Sequence, residues 1–207
     1  MTDDTDPEDD GGPDDVIVRL LDEIPLLYKA RAFADSLGDP PYFARLGEAL
    51  DDRERQLSRA YLDGLGFPEA EPALLGDWED AAVAAETLDR DPAAWEAEEM
   101  MRAGLVERTL ERLDEQALEA ALTLVAAKIG GLAQDAAESA AAIDDVDDPA
   151  LVNVAAGGLA QAAHGACLVL LAEAEDETPP HPFLARWRLY VRGRWPVGVA
   201  GATYNIL

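Results

Sequence analysis

"PALVNVAAGGLAQAAHGACLVLLA", Pro149 to Ala172, is long enough to cross a bilayer and carries no Asp, Glu, Lys or Arg. Two readings compete for it, and they imply different molecules. Its apolar content is mostly Ala and Gly, and Asn153, Gln161 and His164 interrupt its middle. Both flanks, "DDVDDP" and "EAEDE", are acidic, with no Lys or Arg to set an orientation across a membrane. The stretch therefore reads as the buried central helix of a bundle, and no membrane partner is expected.

Working outward, the neighbouring segments repeat the helical theme. "DDVIVRLLDEIPLLYKARAFADSLG" from Asp14 has apolar residues at helical spacing, with Pro25 breaking or kinking it. "YFARLGEALDDRERQLSRAYLDGLG" reads as one helix stopping at Gly64 or Gly66, followed by a Pro- and Glu-rich loop, "FPEAEPALLG". Asp77 and Asp91-Pro92 are placed to cap two further helices. A long helix is expected from Asp114 to Ile143, with a break at Gly130-Gly131. No strand–helix alternation and no Asn-Gly hairpin signal occurs. The expected fold is all-α, an irregular bundle of about seven or eight helices with a short extended C-terminal segment. Residues 1–13 are expected to be a disordered acidic arm, and 14–207 one domain.

The charge is extreme. Asp and Glu number 43 against 16 Lys and Arg, a formal net charge of -27, and Lys29 and Lys128 are the only lysines. Apolar-periodic segments separate the acidic runs, which rules out disorder for most of the chain. The acids are spread along the chain and not gathered in one patch, which fits adaptation of a whole proteome to molar salt. At about 1 M salt the Debye length is roughly 3 Å, so self-repulsion is screened. The acidic N-terminus lacks the positive and apolar regions of a secretory signal, and the single Cys167 allows no intramolecular disulfide. A soluble cytoplasmic protein is expected.

The last 27 residues, "HPFLARWRLYVRGRWPVGVAGATYNIL" from His181, hold four arginines, no acid and five of the thirteen aromatic residues. On a helix from Pro182 to Arg192, the residues Tyr190, Phe183, Trp187, Val191 and Leu184 fill an arc of about 120°. The pattern predicts an amphipathic closing helix with Arg188 and Arg192 on the outer side. Four phosphate contacts would give a salt slope of about −3.6, a loss of roughly 10⁴- to 10⁵-fold between 0.15 and 3 M salt, so nucleic acid is not expected. Pairing with acids, within the chain or on a protein partner, fits better. Trp187, Arg188, Arg192, Arg194 and Trp195 are the candidate contact residues.

Chemistry-bearing motifs are sparse. Asn153, Gln161 and His164 share an arc of about 80° with Gly157 and Leu168, a polar stripe that either faces water, lines a small pocket or finds buried partners. Glu107, Glu111, Glu115 and Glu119 recur every four residues, yet the sequence has no Glu-x-x-His pair, only Gln161-x-x-His164, so no metal is expected. Cys167 is three residues from His164 on one helix, unlike a catalytic pair drawn from separate segments. "AAGGLAQ" and "KIGGLAQ" lack phosphate-loop spacing and suggest two helices packed through small residues, so no cofactor is expected. The expected function is non-enzymatic: contact with a protein partner or a second copy of the chain. The alternative is a helical enzyme or small-molecule binder with a pocket at Asn153, Gln161 and His164.

Overall fold

The structure, a computed structural model, describes residues 24–88 and 92–207. The expected acidic arm, the segment from Asp14 to Glu23 and the Asp91 cap lie outside the described residues. Seven helices are described: α1 (Pro25–Ser36), α2 (Asp52–Leu65), α3 (Trp78–Leu88), α4 (Ala93–Leu110), α5 (Glu115–Ile143), α6 (Pro149–Leu171) and α7 (Pro182–Val191). Three strands accompany them: β1 (Glu71–Leu74), β2 (Pro196–Ala200) and β3 (Thr203–Ile206). The molecule is mainly helical, as expected, and the extended C-terminal segment is part of a small three-stranded sheet to which β1 is an unexpected addition.

Local signals start the long helices where the sequence places them. Asp114 caps α5 by accepting from the Ala117 amide at 2.7 Å, and Asp148 caps α6 by accepting from Ala150 and Leu151. Pro at the first position opens α1, α6 and α7. The helix expected from Tyr42 instead starts at Asp52. Phe43 and Gly47 take positive φ, and a Cβ on Gly47 would lie 2.8 Å from the Gly76 carbonyl oxygen, so 41–47 is a tight turn and not a helix. α5 also runs unbroken through Gly130-Gly131.

The pair α5 and α6, joined by the short 144–148 turn, is the most extensive packing among the described elements. α5 buries Ala117, Ala121, Val125, Ile129, Ala133, Ala137 and Ala141, one residue per four, against α6 and α1. α6 meets α1, α4, α5, α7 and β2. Both α5 and α6 are long and apolar enough to cross a membrane by length and composition alone, and α6 is the more deeply buried of the two.

The "KIGGLAQ" glycines do not form the small-residue contact that the sequence suggests. Gly130 and Gly131 are exposed, with open space where a Cβ would stand. Close approaches occur elsewhere: a Cβ on Gly64 would lie 2.3 Å from Pro182 Cγ, and one on Gly165 would lie 3.1 Å from the Phe183 ring. Gly64→Ala is therefore expected to cost about 1–3 kcal/mol by overpacking. Gly130→Ala should add up to about 1 kcal/mol through helix propensity. Thermal melts in molar KCl check both signs.

The sheet, ordered β1-β3-β2, is built from the expected extended C-terminal segment and from 71–74, where the sequence suggests a loop. β3 pairs in parallel with β1, Glu71 opposite Thr203 and Leu74 opposite Ile206. β2 and β3 form a hairpin turning at Gly201, which has φ of 57°, with an irregular register between Pro196 and Gly198. Val199, Tyr204 and Ile206 join Leu57, Tyr61, Leu62, Ala185 and Leu189 in a second apolar cluster beside the main helical core.

Candidate functional site

α7 and the strands after it carry most of the candidate residues, and their surroundings follow from how α7 starts and stops. His181 caps the helix, its Nδ1 accepting from the Phe183 amide at 3.2 Å, which requires a neutral ring. Burial lowers the pKa of His181 and Arg108 adds to this, against the opposing charge of Glu177. Gly193 ends the segment at φ of 85°, and a Cβ there would lie 3.1–3.2 Å from backbone atoms of Pro41, Ala44 and Arg45. The Arg45 amide donates to the Gly193 carbonyl at 3.0 Å, fastening this end to the 41–47 turn.

α7 is apolar on two sides. Phe183, Leu184, Trp187 and Tyr190 enter the main core, while Ala185 and Leu189 enter the second cluster. An amphipathic helix with a solvent face describes it incompletely, because a single apolar arc conceals the small second face made by Ala185 and Leu189. Trp187 packs edge-on to Phe33 at 5.4 Å between ring centroids, and Trp195 lies 5.1 Å from Trp78.

The arginines of this stretch meet acids from other parts of the same chain. Arg194 is fully buried. Its Nη2 donates to Glu54 Oε2 at 3.0 Å and to the Ala49 carbonyl, and its Nη1 donates to the carbonyls of Arg45 and Glu48. Arg192 pairs with Asp51 and approaches Glu54 at 3.4 Å. Arg45 donates to Glu54 Oε1 at 2.8 Å. Glu54 completes the capping box of α2 as well: the Asp51 amide donates to Oε2 at 2.9 Å. One fully buried carboxylate thus receives three arginines and an amide.

A second buried pair joins α7 to α4. Arg186 donates to both carboxylate oxygens of Glu98, at 2.9 and 3.1 Å, and the Tyr61 hydroxyl donates to Glu98 Oε1. Tyr61 stacks on Tyr204 at 4.6 Å. Burial, and the neighbouring charge of Glu98, raise the Tyr61 phenol well above its usual value, so it is a proton donor here and not a phenolate. Arg188 is half-buried and makes no ion pair among the described residues.

Burial acts to raise the Glu54 carboxyl. The Arg194 hydrogen bond, the Asp51 amide and the charges of Arg194 and Arg45 outweigh it and hold the group below its usual range. Asp51 is also lowered, by the Glu54 amide against a smaller effect of burial, with Arg192 adding to the shift. Depressed folded-state values mean that the stabilisation is complete above the ordinary carboxylate pKa of about 4 and is lost as pH falls through the folded values. Glu54→Gln is expected to flatten the acid limb of stability against pH. Urea titrations between pH 6 and 2 would reveal an unchanged slope if Glu54 were not involved.

The stripe on α6 faces outward. Asn153 and Gln161 are exposed and His164 is half-buried. Burial and the charge of Arg102 lower the His164 pKa. Gln161 borders a crevice of about 10 Å³ between α4, α6 and α7, whose walls include Glu98, Arg102, Phe183 and Arg186. That is space for about one water. Cys167 is fully buried, its thiol pushed up to about 12 by burial, which leaves it inert as a nucleophile.

Glu107 belongs to α4, while Glu115 and Glu119 belong to α5, with Glu111 at the turn between them, so their regular spacing does not place them on one helix face. Arg108 and Arg112 reach the segment after α6 instead, pairing with Glu177 and Glu173.

Sequence reasoning missed the burial and pairing of Glu54, Glu98 and Tyr61, since an acid within an amphipathic helix carries no mark of burial. The surface residues Trp95 and Met100 were also missed. Trp95 is 64% exposed and Met100 72%, whereas no other tryptophan exceeds 8%. Compared with known proteins, the chain matches no family model, and neither a curated protein nor a solved structure gives a match.

Proposed function

We propose that this is a non-enzymatic, soluble, salt-adapted cytoplasmic protein that acts by contact with protein, either a partner chain or a second copy. The observation that carries the reading is the exposure of Trp95 and Met100, which lie about 140° apart around α4. Tryptophan and methionine are enriched at the cores of protein interfaces, and the other tryptophans here are all placed inside the fold. Three of the four C-terminal arginines are engaged within the chain, so α4 displaces them as the surface to test.

A pocket at Asn153, Gln161 and His164 is the weaker reading, because the adjoining crevice has room for only about one water. The test is affinity capture in molar KCl followed by mass spectrometry. A specific protein retained by the wild type is expected to be reduced about tenfold or more by the double replacement Trp95→Ser and Met100→Ser. Equal retention by both forms would defeat the assignment of α4.

A further inference from the structure

We propose that the outward face of α6 is a self-association surface, on which a second copy of the chain docks with its own α6 crossing antiparallel at Gly157. The proposal rests on the protein-binding reading and assigns it a second surface, distinct from α4. Asn153, Gly157 and Gln161 recur every four residues and are all exposed, and neither amide has a hydrogen-bond partner among the described residues.

The glycine at the centre has no internal explanation. A Cβ on Gly158 would meet the Tyr190 hydroxyl at 2.6 Å, and one on Gly165 would meet the Phe183 ring, but one on Gly157 would stand in open space. Gly104, Gly130 and Gly131 are open too, but of the four only Gly157 stands in a helix without charge, where a second backbone can approach closely.

Charge selects the occupant. From Pro149 to Leu171 there is no Asp, Glu, Lys or Arg, in a chain of net charge -27. A basic partner would be drawn to the acidic surface elsewhere. Two acidic copies approach with least repulsion through faces free of charge. The polar groups are complementary to themselves as well. Each side-chain amide both donates and accepts, so an amide can satisfy an amide.

A two-fold axis through Gly157 sets Asn153 of each copy opposite Gln161 of the other, about 6 Å along the helix on either side of the crossing. Val154, 48% exposed, lies beside the crossing and becomes covered. Antiparallel crossing also opposes the two helix dipoles favourably.

Sedimentation equilibrium in molar KCl should show a dimer of the full chain. Gly157→Glu, which sets two carboxylates on the axis, is expected to weaken it about 100-fold. Gly38→Glu, the same charge at an open, exposed glycine after α1, should leave it unchanged. Gly157→Cys should give a disulfide-linked dimer on mild oxidation, since thiols at a two-fold crossing fall within bridging distance and the native Cys167 is buried. A monomeric wild type, a dimer indifferent to Gly157→Glu, or failure of Gly157→Cys to cross-link would each overturn the proposal. A monomer that still captures another protein through Trp95 and Met100 would overturn self-association alone and leave the protein-binding reading standing.

Discussion

A chain that stops at Trp195 is expected not to fold, even in molar KCl. The missing residues 196–207 contain β2 and β3, and with them Val197, Val199, Tyr204, Ile206 and Leu207, all buried. Burying one such side chain contributes about 1.5–3 kcal/mol, so five together approach the 5–15 kcal/mol typical of a whole domain. The deletion also removes the ring that stacks on Tyr61 and the backbone pair between Trp195 and Leu207, whose amides each donate to the other's carbonyl at 2.8 and 2.9 Å. Circular dichroism and protease resistance measure the outcome. A truncated chain that melted cooperatively near the full-length temperature would show that the C-terminal stretch is an appendage and not a wall of the core.

The second large effect is expected at Arg194. Replacement by Met, similar in length but uncharged, strands Glu54 beside a reduced set of cations and leaves the carbonyls of Arg45, Glu48 and Ala49 without their donor. Breaking a buried ion pair from one side costs about 3–5 kcal/mol, because the remaining charge loses its compensation while still removed from water. The double replacement Glu54→Gln with Arg194→Met should recover part of that loss by removing the stranded charge. Full recovery is not expected, since the three carbonyls remain unpaired. Urea unfolding of both single variants and the double variant, all in molar KCl, gives the coupling directly. Equal stability of Arg194→Met and wild type would mean that the guanidinium does not organise the 45–54 turn.

These expectations invert an initial impression of the C-terminal stretch. Read as a string, it is a basic tail on an acidic protein, and its aromatics mark an inward arc. The arc is present, since Phe183, Trp187 and Tyr190 are buried. The arginines are where the reading stops. Arg186, Arg192 and Arg194 alternate with apolar residues, as surface charges do in any amphipathic helix, and nothing local separates the buried Arg194 from the half-buried Arg188. What separates them is Glu54, 140 residues away in sequence, and Glu98, 88 residues from Arg186.

The same holds for the sheet. "EPAL" at 71–74 has a Pro and an acid where a strand would favour β-branched residues, so its propensity argues for a loop. It is a strand because β3 lies beside it, supplying partners for the Glu71 and Leu75 amides at the carbonyls of Ala202 and Ile206.

The sequence by itself determined most of the helices, the starts of α5, α6 and α7, and the buried character of α6. Those features depend on contacts within one or two turns: an Asp or Pro at the first position and apolar residues three or four apart. The tertiary structure alone decided β1 and the pairing of the strands, the inward pairing of the arginines and the outward turn of the Asn153–Gln161 stripe. Each depends on a partner far along the chain, and a hydrogen bond or ion pair between distant residues leaves no periodic trace in either segment.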